Sequence, residues 1–157
     1  MFLEGFHELN ELLPANERLS LMSYAQLSNH QHLFVRNGLS EWAITKLMHR
    51  LCTQYGMEFN WLHGRRGKVF QRPFRGKIIR SADHIASTFV YIHLNPDASL
   101  RMENSSHGIY AGLREDPRID TSLAWQTFGG RDGYLEFFSD TARLRAARAA
   151  ARRRLAG

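Results

Sequence analysis

The stretch LSLMSYAQLSNHQHLFVR, residues 19–36, decides the fold. Two largely apolar runs flank a polar serine–asparagine pair, a pattern typical of two strands joined by a short turn. We therefore predict a β-hairpin with strands at 19–27 and 30–36. Side chains two residues apart on a strand leave the same face, so His30 and His32 are expected on one face of the second strand.

Helices are predicted on both sides of this hairpin. Apolar residues recur every three or four positions over residues 1–13 and again from Ile44 to Leu62, which is typical of helices with one buried face. The segment 63–80 is predicted to be a loop followed by a strand, and GKIIR (76–80) is its most strand-like part.

A further helix is predicted to begin at Ser81, which can cap it, and to end at Pro96. Residues 97–119 look irregular, and a short helix near 121–128 precedes an arginine-rich helix from about residue 132. With one more strand in front, this order is the split βαβ pattern of a ferredoxin-like domain. The prediction is an α+β fold. It comprises a ferredoxin-like antiparallel sheet with helices on one face, its first strand missing, and a C-terminal helical extension.

Length and composition indicate one globular domain. The chain has 157 residues, of which 43% are hydrophobic and 23% charged, and these values exclude disorder throughout. No apolar run approaches the roughly 20 residues of a membrane-spanning helix, and the acidic N-terminal stretch is unlike a signal peptide. Cys52 is the only cysteine, which excludes an internal disulfide and fits a reducing compartment. We expect a cytoplasmic protein that does not contact membranes.

Positive charge is concentrated in two blocks. The net charge is +6, and arginine accounts for all but three of the 21 basic residues. Residues 63–80 and residues 141–157 are both rich in basic side chains and contain no acid. Solvated surfaces usually mix both signs, so one-signed blocks favour a polyanion such as nucleic acid. A codon bias toward arginine is the alternative, and the second block fits a frayed, soluble terminus equally well.

Two pairs of side chains could carry chemistry. His30 and His32 could bind one metal ion, or they are simply exposed strand histidines. Tyr91 and Asn95 lie four residues apart on one helix face, away from the apolar stripe. Tyr91 could act as a nucleophile beside a metal ion, with Asn95 as an oxygen ligand. Alternatively, Tyr91 packs at the core edge and Asn95 caps the helix.

Several segments carry a resemblance to a known family. The HUH single-tyrosine transposases have an NHxHLL segment, which SNHQHLFV (28–35) resembles, and a nucleophile segment YIHLNPxRA, which YIHLNPDAS (91–99) resembles. Their helix end, basic loop and strand are similar to FNWLHGRRGKVFQRPFRGKII (59–79). The REP-associated tyrosine transposases are the most similar group, because their C-terminal segments resemble SSHGIYAGL (105–113) and IDTSLAWQTFGG (119–130).

This resemblance implies a metal-dependent endonuclease and strand transferase that acts on single-stranded or hairpin DNA through a 5′-phosphotyrosine intermediate. Tyr91 falls on the catalytic tyrosine, His30 and His32 on the two metal-binding histidines, and Asn95 on the third ligand. The implied cofactor is Mg²⁺ or Mn²⁺. The implied DNA-binding residues are Arg65, Arg66, Lys68, Arg72, Arg75 and Lys77.

The resemblance also implies a division into a catalytic domain, 1–96, truncated at its N-terminus, and a C-terminal extension, 97–157. The chain departs from the family at Gln31 and Asn104, where the family has a hydrophobic residue and a tryptophan, and it lacks the family's first strand. That departure keeps two alternatives open: a catalytically inactive protein that binds hairpin DNA or RNA, and a remnant that cannot fold alone. The sequence does not distinguish a monomer from a homodimer.

Overall fold

The computed structural model describes residues 1–156, with side chains to residue 153. It shows an α+β fold in which the described residues form one two-stranded antiparallel sheet and several helices. In chain order the elements are α1 (Phe2–Glu11), β1 (Ser20–Gln26), β2 (Gln31–Arg36), α2 (Ala43–Leu62), α3 (Ala82–His93), α4 (Arg101–Asn104), α5 (His107–Tyr110), α6 (Ser122–Phe128) and α7 (Arg131–Ala156).

The chain folds into two compact units. The first contains residues 1–20 and 36–78, and the second contains residues 21–35 and the chain from residue 79 onward. The hairpin and α3 therefore share a unit with the chain beyond residue 96. The boundary at residue 96, which the resemblance implies, stays a prediction. No helix in residues 1–156 has both the length and the apolar character needed to cross a membrane.

The first unit is built on α1 and α2, and both helices confirm the predictions from periodicity. The buried side chains of α1 include Phe2, Phe6 and Leu9, while Leu47 and Leu51 are buried on α2. These positions recur every three or four residues, so each helix presents one apolar face to the core of this unit.

The strand predicted at residues 76–80 is wrong. This segment is irregular in the structure, and the side chain of Ile78 is 76% exposed. A strand requires a neighbour for its backbone groups, and none of the described backbone hydrogen bonds involves this segment. Two adjacent isoleucines are therefore too weak a signal to specify a strand here.

The second unit is built around the hairpin, which confirms the two predicted strands. Five consecutive residues of β1 are buried. The edge of β1 away from β2 is occupied by later parts of the chain: the Ser106 amide donates to the Tyr24 carbonyl (3.1 Å) and the Asp120 amide donates to the Leu21 carbonyl (2.9 Å). The segment predicted to be irregular thus contains two one-turn helices, α4 and α5, and pairs with the sheet edge.

Candidate active site

Two histidine side chains meet at the start of β2. His30 immediately precedes the strand and His32 is its second residue, so both rings leave the same face. Their Nε2 atoms are 3.1 Å apart and share a hydrogen bond. The Nδ1 of His30 lies 2.7 Å from the Oδ1 of Asn29. Because an amide oxygen only accepts, His30 donates from Nδ1, and its Nε2 keeps a lone pair when the ring is neutral.

The separation of the two Nε2 atoms suits two ligands of one metal ion. Two nitrogens that each lie about 2.1 Å from an ion, at right angles, are about 3.0 Å apart. The described side chains contain no cluster of three His, Cys, Asp or Glu residues that could hold a metal. Two imidazoles leave the remaining positions of a bound metal to other donors, such as amide, water or phosphate oxygens.

His32 is half-buried, and its environment favours the neutral ring. Burial is the main cause that lowers its pKa below the usual value, and the neighbouring charge of His30 lowers it further. A neutral imidazole is the form that can bind metal, so the burial of His32 is compatible with a role as ligand.

Helix α3 places Tyr91 over the same strand face. The helix begins as predicted, with the His84 amide donating to the Ser81 hydroxyl (3.4 Å). Phe89 is fully buried and packs edge-on against Phe34 of β2, with ring centres 5.0 Å apart. Since Phe34 lies two residues beyond His32 on the same strand face, this aromatic pair sets α3 next to the histidines.

Tyr91 is 55% exposed, and its ring meets the ring of His32 edge-on at 5.6 Å. Among the described residues its hydroxyl has no hydrogen-bond partner, and more than half of the residue's surface is open to solvent. Its ring therefore rests on a candidate metal ligand, and its hydroxyl is accessible to a bound strand. The structure thus brings together three of the four residues to which the resemblance assigns chemistry.

Asn95 lies one residue beyond Leu94, the C-cap of α3. Its amide nitrogen donates to the carbonyl of Tyr91 at 3.1 Å, so the capping interpretation is correct for the nitrogen. The amide oxygen accepts no hydrogen bond from the described residues. The oxygen of Asn95 is therefore available as a ligand while its nitrogen holds the last turn of the helix.

The C-terminal end of α3 is anchored by residues that sequence reasoning missed. His93 is fully buried, with Nδ1 2.8 Å from the Tyr134 hydroxyl and Nε2 2.7 Å from the Ser106 hydroxyl. The Arg145 guanidinium donates to the Leu94 carbonyl at 2.8 Å. Tyr134 and Arg145 lie 41 and 51 positions from these partners, so no local pattern could have indicated either contact.

The basic residues assigned to DNA binding lie in the first unit, between α2 and residue 78. All six are exposed, and none of them forms an ion pair with a described acidic side chain. Arg65 lies over the ring of Phe59, 5.7 Å from its centre. The segment is therefore an exposed cationic surface. The six residues concerned are Arg65, Arg66, Lys68, Arg72, Arg75 and Lys77.

No protein-family model matches the chain, and no curated protein or solved structure matches it. The function is therefore inferred from the geometry of His30, His32, Tyr91 and Asn95.

Proposed function

We propose that this protein is a metal-dependent endonuclease and strand transferase for single-stranded or hairpin DNA, of the REP-associated tyrosine transposase type and ferredoxin-like in its ancestry. The main observation behind the proposal is a set of contacts: His30 and His32 lie side by side on one face of β2, and the exposed ring of Tyr91 on α3 packs against His32. The acid-free basic segment 63–80 supports a nucleic-acid substrate. A single cysteine, Cys52, supports a cytoplasmic location.

The hydroxyl oxygen of Tyr91 is the nucleophile in this proposal. It forms a bond to phosphorus while the bond between phosphorus and the 3′-oxygen of the DNA breaks. The phenolic proton is lost to solvent, and the departing oxygen takes up a proton, so the products are a 5′-phosphotyrosine and a free 3′-hydroxyl. Attack by another 3′-hydroxyl reverses these steps and transfers the strand without a nucleotide cofactor.

His30, His32 and the amide oxygen of Asn95 are the residues that would hold Mg²⁺ or Mn²⁺. When bound, the cation supplies neutralisation of the phosphate charge that would otherwise repel the nucleophile. Asn29 fixes the tautomer of His30 that directs a lone pair toward His32. The exposure of Tyr91 leaves space for the strand beside both rings.

The substitution Tyr91→Phe tests the proposal because it removes only the nucleophilic oxygen. Labelled hairpin DNA is incubated with Mn²⁺ and run on a denaturing gel. The unmodified protein is expected to give a covalently shifted band, and Tyr91→Phe to give none while binding the DNA equally well. Tyr55→Phe is the matched control, since Tyr55 lies in the first unit, and it should retain the band.

A shifted band that survives in Tyr91→Phe would contradict the assignment of the nucleophile. A protein that melts cooperatively by circular dichroism and binds hairpins, yet gives no band and binds equally well with a chelator, would instead be the inactive binding protein. Loss of the band upon chelation, with DNA binding retained, supports the metal-dependent reaction.

A further inference from the structure

The C-terminal half of α7 carries a one-sided row of arginines. At about 100° per residue, Arg145, Arg148 and Arg152 fall within an arc of about 60° on the helix surface. Arg143 and Arg153 lie about 80° or more outside that arc. We refer to Arg145, Arg148 and Arg152 as the arginine stripe. All three are exposed, and the helix contains no acidic residue after Asp140.

The arginine stripe begins at the end of α3 that bears the candidate nucleophile. Arg145 donates to the carbonyl of Leu94 at 2.8 Å. Leu94 follows Tyr91 by three residues and directly precedes Asn95, the candidate third metal ligand. The stripe then extends by about 10 Å along α7 to Arg152, since each helical residue rises about 1.5 Å. Arg145 therefore links the start of the stripe to the residue that precedes Asn95, inside the second unit.

Among the described residues, no carboxylate forms an ion pair with Arg101 or with the arginine stripe. Arg101 lies near Arg145: burial and then the charge of Arg145 lower the pKa of Arg101, while Tyr134 and Asp97 act in the opposite direction. The Nε of Arg101 is buried without a hydrogen-bond partner among the described residues. Asp140 pairs instead with Arg143, which lies off the stripe. A positive potential of this kind favours an anionic strand over a protein partner.

We propose that the arginine stripe binds the backbone phosphates of the single-stranded flank that extends from the scissile phosphate at Tyr91. This inference rests on the proposed function, because it assumes that Tyr91 faces DNA. Arg145 has two roles here: it anchors α3 at Leu94, and it is the first cation that the departing strand meets. Arg148 and Arg152 touch no part of the catalytic machinery, so they extend the binding surface without affecting the chemistry.

The test compares two double substitutions that remove the same charge from α7. Arg148→Gln with Arg152→Gln removes two cations from the stripe, and Arg143→Gln with Arg153→Gln removes two from its flanks. Binding of a single-stranded oligonucleotide is measured in chelator over a range of salt concentrations. The binding constant falls with salt, and each lost phosphate contact should make the plot of log K against log salt shallower by about 0.7. The slope of the stripe variant should therefore become shallower by about 1.4, and that of the control variant should change much less.

A second measurement links the stripe to the site. In Mn²⁺ the unmodified protein should form more covalent adduct with a long flank than with a single-nucleotide flank, and the stripe variant should lose this preference. Equal changes in the two double variants, or no change in either, would overturn the inference. Because the salt series needs no cleavage, a missing adduct in the unmodified protein would count against the proposed function alone.

Discussion

A cluster of buried polar rings holds the second unit together. The hydroxyl of Tyr134 lies 2.8 Å from Nδ1 of His93 and 2.6 Å from Nδ1 of His107. A hydroxyl has one proton, so it donates to one imidazole and accepts from the other. If that oxygen were removed, both ring nitrogens would be buried without a partner, and a buried polar group without a partner is costly.

Tyr134→Phe is therefore expected to lower the free energy of unfolding by about 1–3 kcal/mol. Urea unfolding followed by circular dichroism measures this change. Tyr91→Phe is the control for loss of a phenolic hydroxyl, and it should change stability by less than about 0.5 kcal/mol because Tyr91 is exposed. Equal effects of the two substitutions would show that the cluster does not stabilise the fold.

The same cluster makes stability depend on pH. Burial, followed by the charge of Arg101, lowers the pKa of His107 to about 4. In the unfolded chain the pKa of a histidine is about 6.5, so between these values the unfolded state binds more protons. The free energy of unfolding should therefore fall as the pH falls from about 6.5 to about 4, and His107 should contribute no slope above that range.

Urea unfolding at a series of pH values tests this expectation. Replacing His107 with Gln removes one titrating group, so the variant should show a shallower decline than the unmodified protein between pH 6.5 and 4. The same slope in both proteins would show that His107 is protonated as readily in the folded state as in the unfolded one.

Among the elements, the longer helices and the hairpin were predictable from local patterns, whereas the one-turn helices α4 and α5 and the pairing of Ser105 with β1 were not. Periodicity predicted α1 and α2, and a capping serine, Ser81, predicted the start of α3. The apolar runs predicted both strands of the hairpin. The strand expected at 76–80 failed because two adjacent isoleucines do not specify a pairing partner, and none of the described backbone hydrogen bonds involves this segment.

The glycine inside α2 can be replaced with a gain in stability. Gly56 lies inside the helix, and a Cβ atom there would meet only Val69, at 4.0 Å. Gly56→Ala should therefore raise stability by about 0.5–1 kcal/mol, because alanine loses less conformational entropy in a helix. Gly5→Ala in α1 is the contrast, since its Cβ would lie 3.0 Å from Leu51 and displace that side chain.

Thermal denaturation of both glycine variants distinguishes helix propensity from packing. The melting temperature should rise for Gly56→Ala and should rise less, or fall, for Gly5→Ala. A lower melting temperature for Gly56→Ala would show that the α2 backbone at this position, rather than the space around it, requires glycine.

In the molecule as a whole, the sequence indicated the chemistry-bearing residues but not what assembles them. Spacing placed His30 and His32 on one face and Tyr91 with Asn95 on another. The face of β2 and the face of α3 lie together because Phe89 packs against Phe34, a contact between distant parts of the chain. The anchors Tyr134 and Arg145 were missed for the same reason. The division into two units, which separates the basic segment 63–78 from α7, also follows from long-range packing.

The role of Tyr91 as nucleophile is tested most sharply by identifying the residue that carries DNA after reaction. Trypsin cuts after Arg80 and Arg101 and releases residues 81–101, a peptide whose only tyrosine is Tyr91. After reaction with hairpin DNA in Mn²⁺ and nuclease digestion, mass spectrometry should find a nucleotide joined to this peptide through a tyrosyl phosphodiester. A nucleotide joined to a different peptide, or no adduct from folded, DNA-bound protein, would contradict the account.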